Sequence, residues 1–171
     1  MIKIYDNREV QKISIEYDLY IPIDIKFGNW DNALEPTAYW RTGDFQKSII
    51  EVGIGKYSQK IRSITLVGCD KVFESKKSHR RFQDVTSGCP IVSICDLSDN
   101  SYIDEEGVVE VHFKGNDVYV LFSRTEATSC MENENVEFLL DLNNNWVGIC
   151  IKDIDKVNLS ILKESLKQII R

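Results

Sequence analysis

Apolar and polar residues alternate along much of this chain, and the alternation restricts its fold more than any other feature of the sequence. It is present in IKIY at 2–5 and continues through ISIEYDLYIPIDIKF at 13–27. Because successive side chains of a β-strand point to opposite faces, such runs predict strands with one buried and one wet face. Pro22 lacks the backbone N–H that a sheet needs, so we expect the second run to be an edge strand or to break near this residue.

Two further runs predict hairpins. SIIEVGIGKYSQKIRSITLV at 48–67 gives two strands separated by a medium loop, and VEVHFK and DVYVLFS flank Gly115 and Asn116, residues that tolerate the positive φ of a tight turn. DVYVLFS is apolar on both faces, which predicts a central strand.

The stretch VEFLLDLNNNWVGICIKDI predicts another hairpin, in which the asparagines 143–145 form the turn. A turn explains these asparagines without a ligand. Gly148 indicates a β-bulge or a close approach to another backbone.

Three segments are less regular. GNWDNALEPTAYWRTGD at 28–44 is predicted to be a long loop with two tryptophans, and the polar, basic residues 71–88 to be a loop or a short helix. PIVSICDL at 90–97 returns to a strand pattern.

The C-terminus changes to a helical period. Leu159, Leu162, Leu166 and Ile169 recur every three or four residues, and Asn158 is the expected N-cap. We therefore predict an α+β fold of one domain, residues 1–171: a mostly antiparallel β-sheet, as a sandwich or partly open barrel, with a C-terminal amphipathic helix on it.

Charge and hydropathy restrict the possible partners and the expected location of the protein. The formal net charge is -6 and the pI about 5.0, which argues against nucleic acid and anionic membranes as partners and favours cationic ones. The sequence has no signal-peptide pattern at its start and no run of apolar residues long enough to cross a membrane, so we expect a cytoplasmic protein.

The five cysteines are odd in number and form no CxxC pair. Cys69, Cys89, Cys95, Cys130 and Cys150 lie in or beside apolar segments, so we expect reduced, half-buried thiols with a packing role rather than a disulfide framework. No metal ligand set or cofactor motif is predicted.

Catalytic signatures are also missing, so we predict that the protein is not an enzyme. Of the two histidines, His112 is interpreted as an outward strand residue. His79 lies in KKSHRR at 76–81, and a phosphoryl-binding or hydrolytic enzyme built on it is one alternative. A small-molecule-binding β module, with Trp30, Tyr39 and Trp40 as a lid, is another.

Two acidic clusters are the candidate binding residues. DNSYIDEEG contributes Asp99, Tyr102, Asp104, Glu105 and Glu106, where an aromatic side chain is surrounded by carboxylates and could anchor a basic partner. MENENVE adds Glu132 and Glu134. We predict a partner-binding surface at these residues.

Two stretches resemble a known family. WRTGDFQKSIIEVGIGKYSQKIRSITLV at 40–67 is similar to a pattern in small bacterial immunity proteins of contact-dependent growth-inhibition and polymorphic-toxin loci, in which a SLIEIGI-like strand precedes a KIRSITLV-like strand. NDVYVLFS and FLLDLNNNWVGICIKDID resemble the closing strands of such proteins. The resemblance implies a cytoplasmic, non-catalytic protein that binds one cognate toxin domain. Acidity fits a basic, nucleic-acid-attacking toxin.

Overall fold

The computed structural model of the chain describes residues 2–7, 9–29, 35–75, 82–93 and 101–170, which form strands and one helix. The elements are β1 (Lys3–Asn7), β2 (Ile13–Glu16), β3 (Ile23–Phe27), β4 (Thr37–Gly43), β5 (Ile49–Gly55), β6 (Ile61–Gly68), β7 (Val72–Glu74), β8 (Asp84–Ser87), β9 (Pro90–Ser93), β10 (Tyr102–Glu106), β11 (Glu110–Lys114), β12 (Asp117–Leu121), β13 (Ser129–Asn133), β14 (Val136–Leu140), β15 (Trp146–Ile151) and α1 (Lys156–Ile170).

Most of these strands form two large sheets. The six-stranded sheet has the order β10-β4-β5-β6-β3-β2, the seven-stranded sheet the order β7-β11-β12-β15-β14-β13-β8, and β1 pairs separately with β9. The edge strands β10, β7 and β8 run parallel to their neighbours, and the other described pairs are antiparallel. The predicted fold class is therefore confirmed, with mixed rather than purely antiparallel sheets, and neither large sheet closes into a barrel over the described strands.

The two sheets face each other across a shared hydrophobic core, as in a β-sandwich. Aromatic side chains join the layers: the ring centroids of Phe27 on β3 and Phe138 on β14 lie 5.8 Å apart. Phe122, just after β12, meets Trp40 of β4 at 5.5 Å and Trp146 of β15 at 5.1 Å. Each sheet thus has an inner face toward this core and an outer face away from it.

The predicted hairpins are confirmed. The run at 48–67 forms β5 and β6, and Gly115 turns between β11 and β12 with a φ of 64°. β12 lies between β11 and β15, with Val118 and Val120 in the shared core and Tyr119 on the outer face, as expected of a central strand.

The asparagine segment is a turn held by one carboxylate. Asp141 Oδ1 accepts hydrogen bonds from the backbone N–H groups of Asn143 and Asn145 at 2.8 and 2.9 Å, and Asp141 Oδ2 accepts one from the Asn145 side-chain amide at 2.8 Å. Asn144 takes a φ of 59°, which asparagine tolerates better than most residues. The prediction of a turn is confirmed.

Gly148 lies at a bulge, as predicted. Leu139 is opposite Gly148 and Leu140 is opposite Trp146, so β15 carries one extra residue between these pairs. A Cβ at Gly148 would lie only 2.6 Å from the carbonyl oxygen of Val120, so the strands approach too closely there for a side chain.

Two segments expected to be irregular contain strands. Residues 37–43 of the predicted 28–44 loop are β4, an interior strand on which Trp40 points into the core at 4% exposure. Within 71–88, β7 and β8 add to the two edges of the seven-stranded sheet. Their pairing partners lie far along the chain, so a local pattern of three or four residues does not reveal them. The strand expected at 90–97 covers Pro90–Ser93, and 94–97 lie outside the described residues.

Near Pro22 the long alternating run breaks, as expected. β2 ends at Glu16 and becomes an edge of the six-stranded sheet, and β3 starts at Ile23.

The helix packs on the core through Leu162 and Leu166, with Leu159 partly buried beside them, which confirms the predicted stripe at these three positions; the side chain of Ile169 lies outside the described part of the structure. Its N-cap is Asp155, whose Oδ1 accepts the backbone N–H of Asn158 at 2.9 Å. The prediction of Asn158 as the N-cap was wrong. Asp155 and Asn158 are both good capping residues, and the apolar period of the helix does not decide between them.

Cys69, Cys89, Cys130 and Cys150 are free thiols, as expected, and are buried rather than half-buried; Cys95 lies outside the described residues. Burial raises the pKa of Cys89 to about 12, which keeps this thiol protonated and unreactive at neutral pH. No helix among the described residues is long and apolar enough to span a membrane.

Candidate partner-binding face on the six-stranded sheet

The first acidic cluster forms a strand rather than a loop. β10 pairs in parallel with β4 and is the edge of the six-stranded sheet. Its exposure alternates, so Tyr102, Asp104 and Glu106 lie on the outer face and Ile103 on the inner face. Asp99 lies outside the described residues.

Glu105 differs from this expected set because it is on the inner side of β10. Its carboxylate accepts a hydrogen bond from the indole N–H of Trp40. Burial raises the pKa of Glu105, but hydrogen bonds that include the Trp40 contact outweigh burial and hold it below its ordinary value. Glu105 therefore anchors the edge strand to the core, and does not extend outward with Asp104 and Glu106.

Tyr102 and Asp104 are held by neighbours on β4. The ring of Tyr102 stacks on that of Tyr39 with centroids 5.4 Å apart, and the Arg41 guanidinium lies 4.6 Å from the Tyr102 centroid. Arg41 also donates two hydrogen bonds to Asp104, of 2.8 and 2.9 Å. Tyr102 remains 53% exposed, so it is a fixed but accessible aromatic group.

A charged row crosses the outer face from this edge. The strand registers place the residues of the row directly opposite one another, in the order Asp104, Arg41, Glu51, Thr65, Asp24 and Glu16. Four of the six are carboxylates and only Arg41 is a cation. Thr65 Oγ1 donates a 2.9 Å hydrogen bond to Asp24, and Lys26 Nζ lies 3.5 Å from the same carboxylate. We call these six residues the acidic row.

Glu51 at the middle of the acidic row has a raised pKa. Partial burial is the main cause; Arg41 opposes it, and Asp104 and Asp24 reinforce it. Among the described residues the central carboxylate thus lacks full compensation, and an added cation over the row would stabilise its charged form.

The second acidic cluster lies on the other sheet. Glu132 is on the outer face of β13 in the seven-stranded sheet, and Glu134 is in the turn that follows, with a φ of 53°. The structure therefore does not bring these two residues together with Tyr102 and Asp104, because the core separates the two outer faces. The predicted residues that the structure describes therefore do not form a single surface.

Of the two alternative functions, the structure tests only the aromatic lid, and only at two of its three residues. Tyr39 and Trp40 are neighbours on β4 and point to opposite faces, so they cannot form one lid. His112 stacks on Phe73 at 4.8 Å and its Nε2 lies 3.0 Å from Glu110, on the outer face of β11, in agreement with the predicted outward orientation. Trp30, His79 and the basic segment 76–81 lie outside the described residues.

Sequence reasoning missed Arg41, Glu51, Asp24 and Glu16. A signal was present, because Glu16, Asp24 and Glu51 occupy the polar positions of alternating strands. Alternation assigns such residues to a face, but the strand order and register that align them into one row depend on long-range pairing.

The comparisons with known proteins identify no family for this chain. No protein-family model matches the sequence, and no curated protein matches it significantly.

Proposed function

We propose that this protein is a non-catalytic, cytoplasmic immunity protein that binds and neutralises a cognate toxin domain, and that the outer face of the six-stranded sheet contacts a basic region of that toxin. One stretch of the resemblance to immunity proteins, residues 40–67, includes most of β4, all of β5 and all of β6 except its last residue. These three strands carry Arg41, Glu51 and Thr65 at the centre of the acidic row.

The observation that supports this proposal most is the acidic row beside an ordered, exposed tyrosine. Carboxylates spaced across adjacent strands, about 4.8 Å apart, give a repeat that lysine and arginine side chains of a basic partner can match. Tyrosine is one of the residue types that contribute most binding energy at interfaces. Tyr102 next to Asp104 therefore has the composition of an interface centre.

Order in the free protein favours tight binding. Since Arg41 already fixes both Tyr102 and Asp104, little side-chain entropy is lost when a partner arrives. The strands beneath are packed on the core, so the backbone of this face does not need to rearrange. The negative charge would also accelerate encounter with a basic toxin domain, most strongly at low salt.

The test uses the toxin domain encoded beside this protein's gene, purified and titrated calorimetrically. Tyr102→Ala should weaken binding about 30-fold or more, which corresponds to loss of an interface hot spot of roughly 2 kcal/mol. Tyr20→Ala is the matched control, because Tyr20 is 85% exposed in the β2–β3 connection, and it should bind like the wild type.

Protection of growth when toxin and variant are co-expressed should follow the same order. Wild-type affinity in Tyr102→Ala would contradict the assignment of this face. Absence of any complex with the wild-type protein would contradict the proposed function itself.

A further inference from the structure

The outer face of the seven-stranded sheet contains a second cluster of potential ligands, independent of the acidic row. Cys130 and Glu132 are two residues apart on one face of β13, and Glu137 is directly opposite Glu132 on β14. The Cys130 sulfur and one carboxylate oxygen from each glutamate all lie within 4.8 Å of one another. Two neighbouring strands thus bring a thiol and two carboxylates close together.

Cys130 is the most informative member of this cluster. It is 2% exposed, and its sulfur has no hydrogen-bond partner within the described part of the chain, although it lies beside two carboxylates. Cys69, by comparison, contacts the carbonyl oxygens of Lys71 and Val109. Cys130 also packs with Leu139 and Cys150 in a hydrophobic cluster, so the feature that marks it as a potential ligand is that its sulfur lies within 4.8 Å of a carboxylate oxygen of each glutamate.

The two glutamates also lack full compensation within the described residues. Like charges directly opposite on neighbouring strands repel each other. Lys152 Nζ lies 3.6 Å from Glu137 but is shared with Asp117 at 3.4 Å. A cation between Glu132 and Glu137 would remove this repulsion.

The donor types select the cation. Magnesium and calcium take oxygen ligands, whereas a thiolate with carboxylates suits zinc and its softer analogue cadmium. We propose that Cys130, Glu132 and Glu137 form a binding site for a zinc-class divalent cation, with water completing the coordination.

The dimensions and charges of the site agree with such an ion. With a metal–sulfur bond of about 2.3 Å and metal–oxygen bonds of about 2.0–2.2 Å, tetrahedral ligand atoms are separated by roughly 3.3–3.7 Å, so the side chains need to close by about 1 Å. Glu132 is exposed and can make this adjustment, which also gives the ion a path from solvent. Binding would release the Cys130 thiol proton to solvent, which leaves three anionic ligands around one divalent ion with the Lys152 ammonium next to them.

Cadmium is a suitable probe, because a cadmium–thiolate bond gives an ultraviolet charge-transfer band that other ligands do not. Titration of the wild-type protein should produce this band with one equivalent of cadmium, and Cys130→Ser should abolish it. Cys69→Ser, a buried thiol elsewhere, should retain the band. Calorimetry with zinc should give a competing, single-site isotherm.

Exposed Glu132 provides a variant that will not disturb folding. Glu132→Gln should weaken cadmium binding about tenfold or more, while Glu134→Gln, two residues away in the turn, should bind like the wild type. The proposal is overturned if the wild type shows no thiolate band, if the band survives in Cys130→Ser, or if Glu132→Gln and Glu134→Gln bind cadmium equally. None of these outcomes depends on toxin binding.

Discussion

The outer faces of the two sheets have similar strand patterns but different environments. On the six-stranded sheet, the acidic row and Tyr102 lie open to solvent or are half-buried. On the seven-stranded sheet, Tyr119, Leu139 and Cys150 are less than 10% exposed and form a second hydrophobic cluster. Phe82, Leu121 and Ala127 pack against that cluster. One face is thus largely closed by its own chain and the other is left open.

The difference shows that strand alternation alone does not assign a role to a face. Glu51 and Glu137 both occupy outer positions on interior strands, yet Glu51 belongs to an open row of carboxylates and Glu137 lies beside buried thiols and Lys152. What covers the sheet determines whether a face contributes to stability or is available for binding. Substitutions on the closed face should therefore mainly lower stability, whereas substitutions on the open face should mainly lower the affinity for a partner.

The largest contrast in stability is expected between Leu139→Ala and Tyr102→Ala. Leu139 is 1% exposed, so its truncation should lower the free energy of unfolding by about 3 kcal/mol. Tyr102 is 53% exposed and loses only its stacking contacts, so its truncation should cost at most about 1 kcal/mol. Urea denaturation of both variants measures the contrast, and equal losses would mean that the two faces are not differently covered.

Two glycines sharpen the same comparison at the backbone. A Cβ at Gly148 on the seven-stranded sheet meets the Val120 carbonyl oxygen at 2.6 Å, so Gly148→Ala should cost about 2 kcal/mol or more. A Cβ at Gly53 on the six-stranded sheet meets the Ser63 hydroxyl, which can rotate away, and side-chain carbons of Thr37 and Tyr39 at 3.2 and 3.3 Å, which need to give by only a few tenths of an ångström, so Gly53→Ala should cost about 1 kcal/mol. Thermal unfolding should rank the two accordingly; a larger loss for Gly53→Ala would contradict the account.

The smallest effect concerns the pH dependence of Glu51. Because its pKa is raised in the folded state, mainly by burial, the folded protein holds this proton more tightly than the unfolded chain. Stability is therefore lost as pH rises from the ordinary value of about 4.5 through the folded value. Glu51→Gln removes this loss and should be more stable than the wild type at pH 7, by less than about 1 kcal/mol given the exposure of the side chain.

Below about pH 3 the carboxyl is protonated in both states, so the gain from Glu51→Gln should disappear. Urea titrations at the two pH values test the sign. A variant that is less stable than the wild type at pH 7 would mean that Arg41 overcompensates the Glu51 charge.

The interior hairpins and the helix could be predicted from the sequence because their signals are local. β5 and β6, the asparagine turn and the stripe of Leu159, Leu162 and Leu166 each follow from residues close together in the chain. β7, β8 and β10 could not, since they are short, polar edge strands whose parallel partners are distant. β4 was missed because glycine, asparagine and proline precede it and mask its alternation of Ala38 and Trp40 with polar neighbours.

The candidate site could be predicted only in part for the same reason. The acidic composition of the segment identifies Tyr102 and Asp104, but it identifies Glu105 equally. Glu105 is one residue further along the strand than Asp104, so its side chain points inward to Trp40. Glu132 and Glu134 have the right charge on a different sheet. Strand register aligns the residues of the acidic row and places Glu132 and Glu134 elsewhere. This register depends on long-range pairing: β10 and β4, for example, are more than fifty residues apart in the chain.

The most direct test of the binding face is the affinity of the toxin domain for two matched double variants. Asp104→Lys with Glu16→Lys reverses the two exposed ends of the acidic row, and Glu132→Lys with Glu134→Lys makes the same charge change at exposed positions of the other sheet. Calorimetry should show the first pair weakened about 100-fold or more, near 2.7 kcal/mol, with the second close to the wild type. Equal weakening of both pairs, or a larger effect of the second, would contradict the assignment of the six-stranded face.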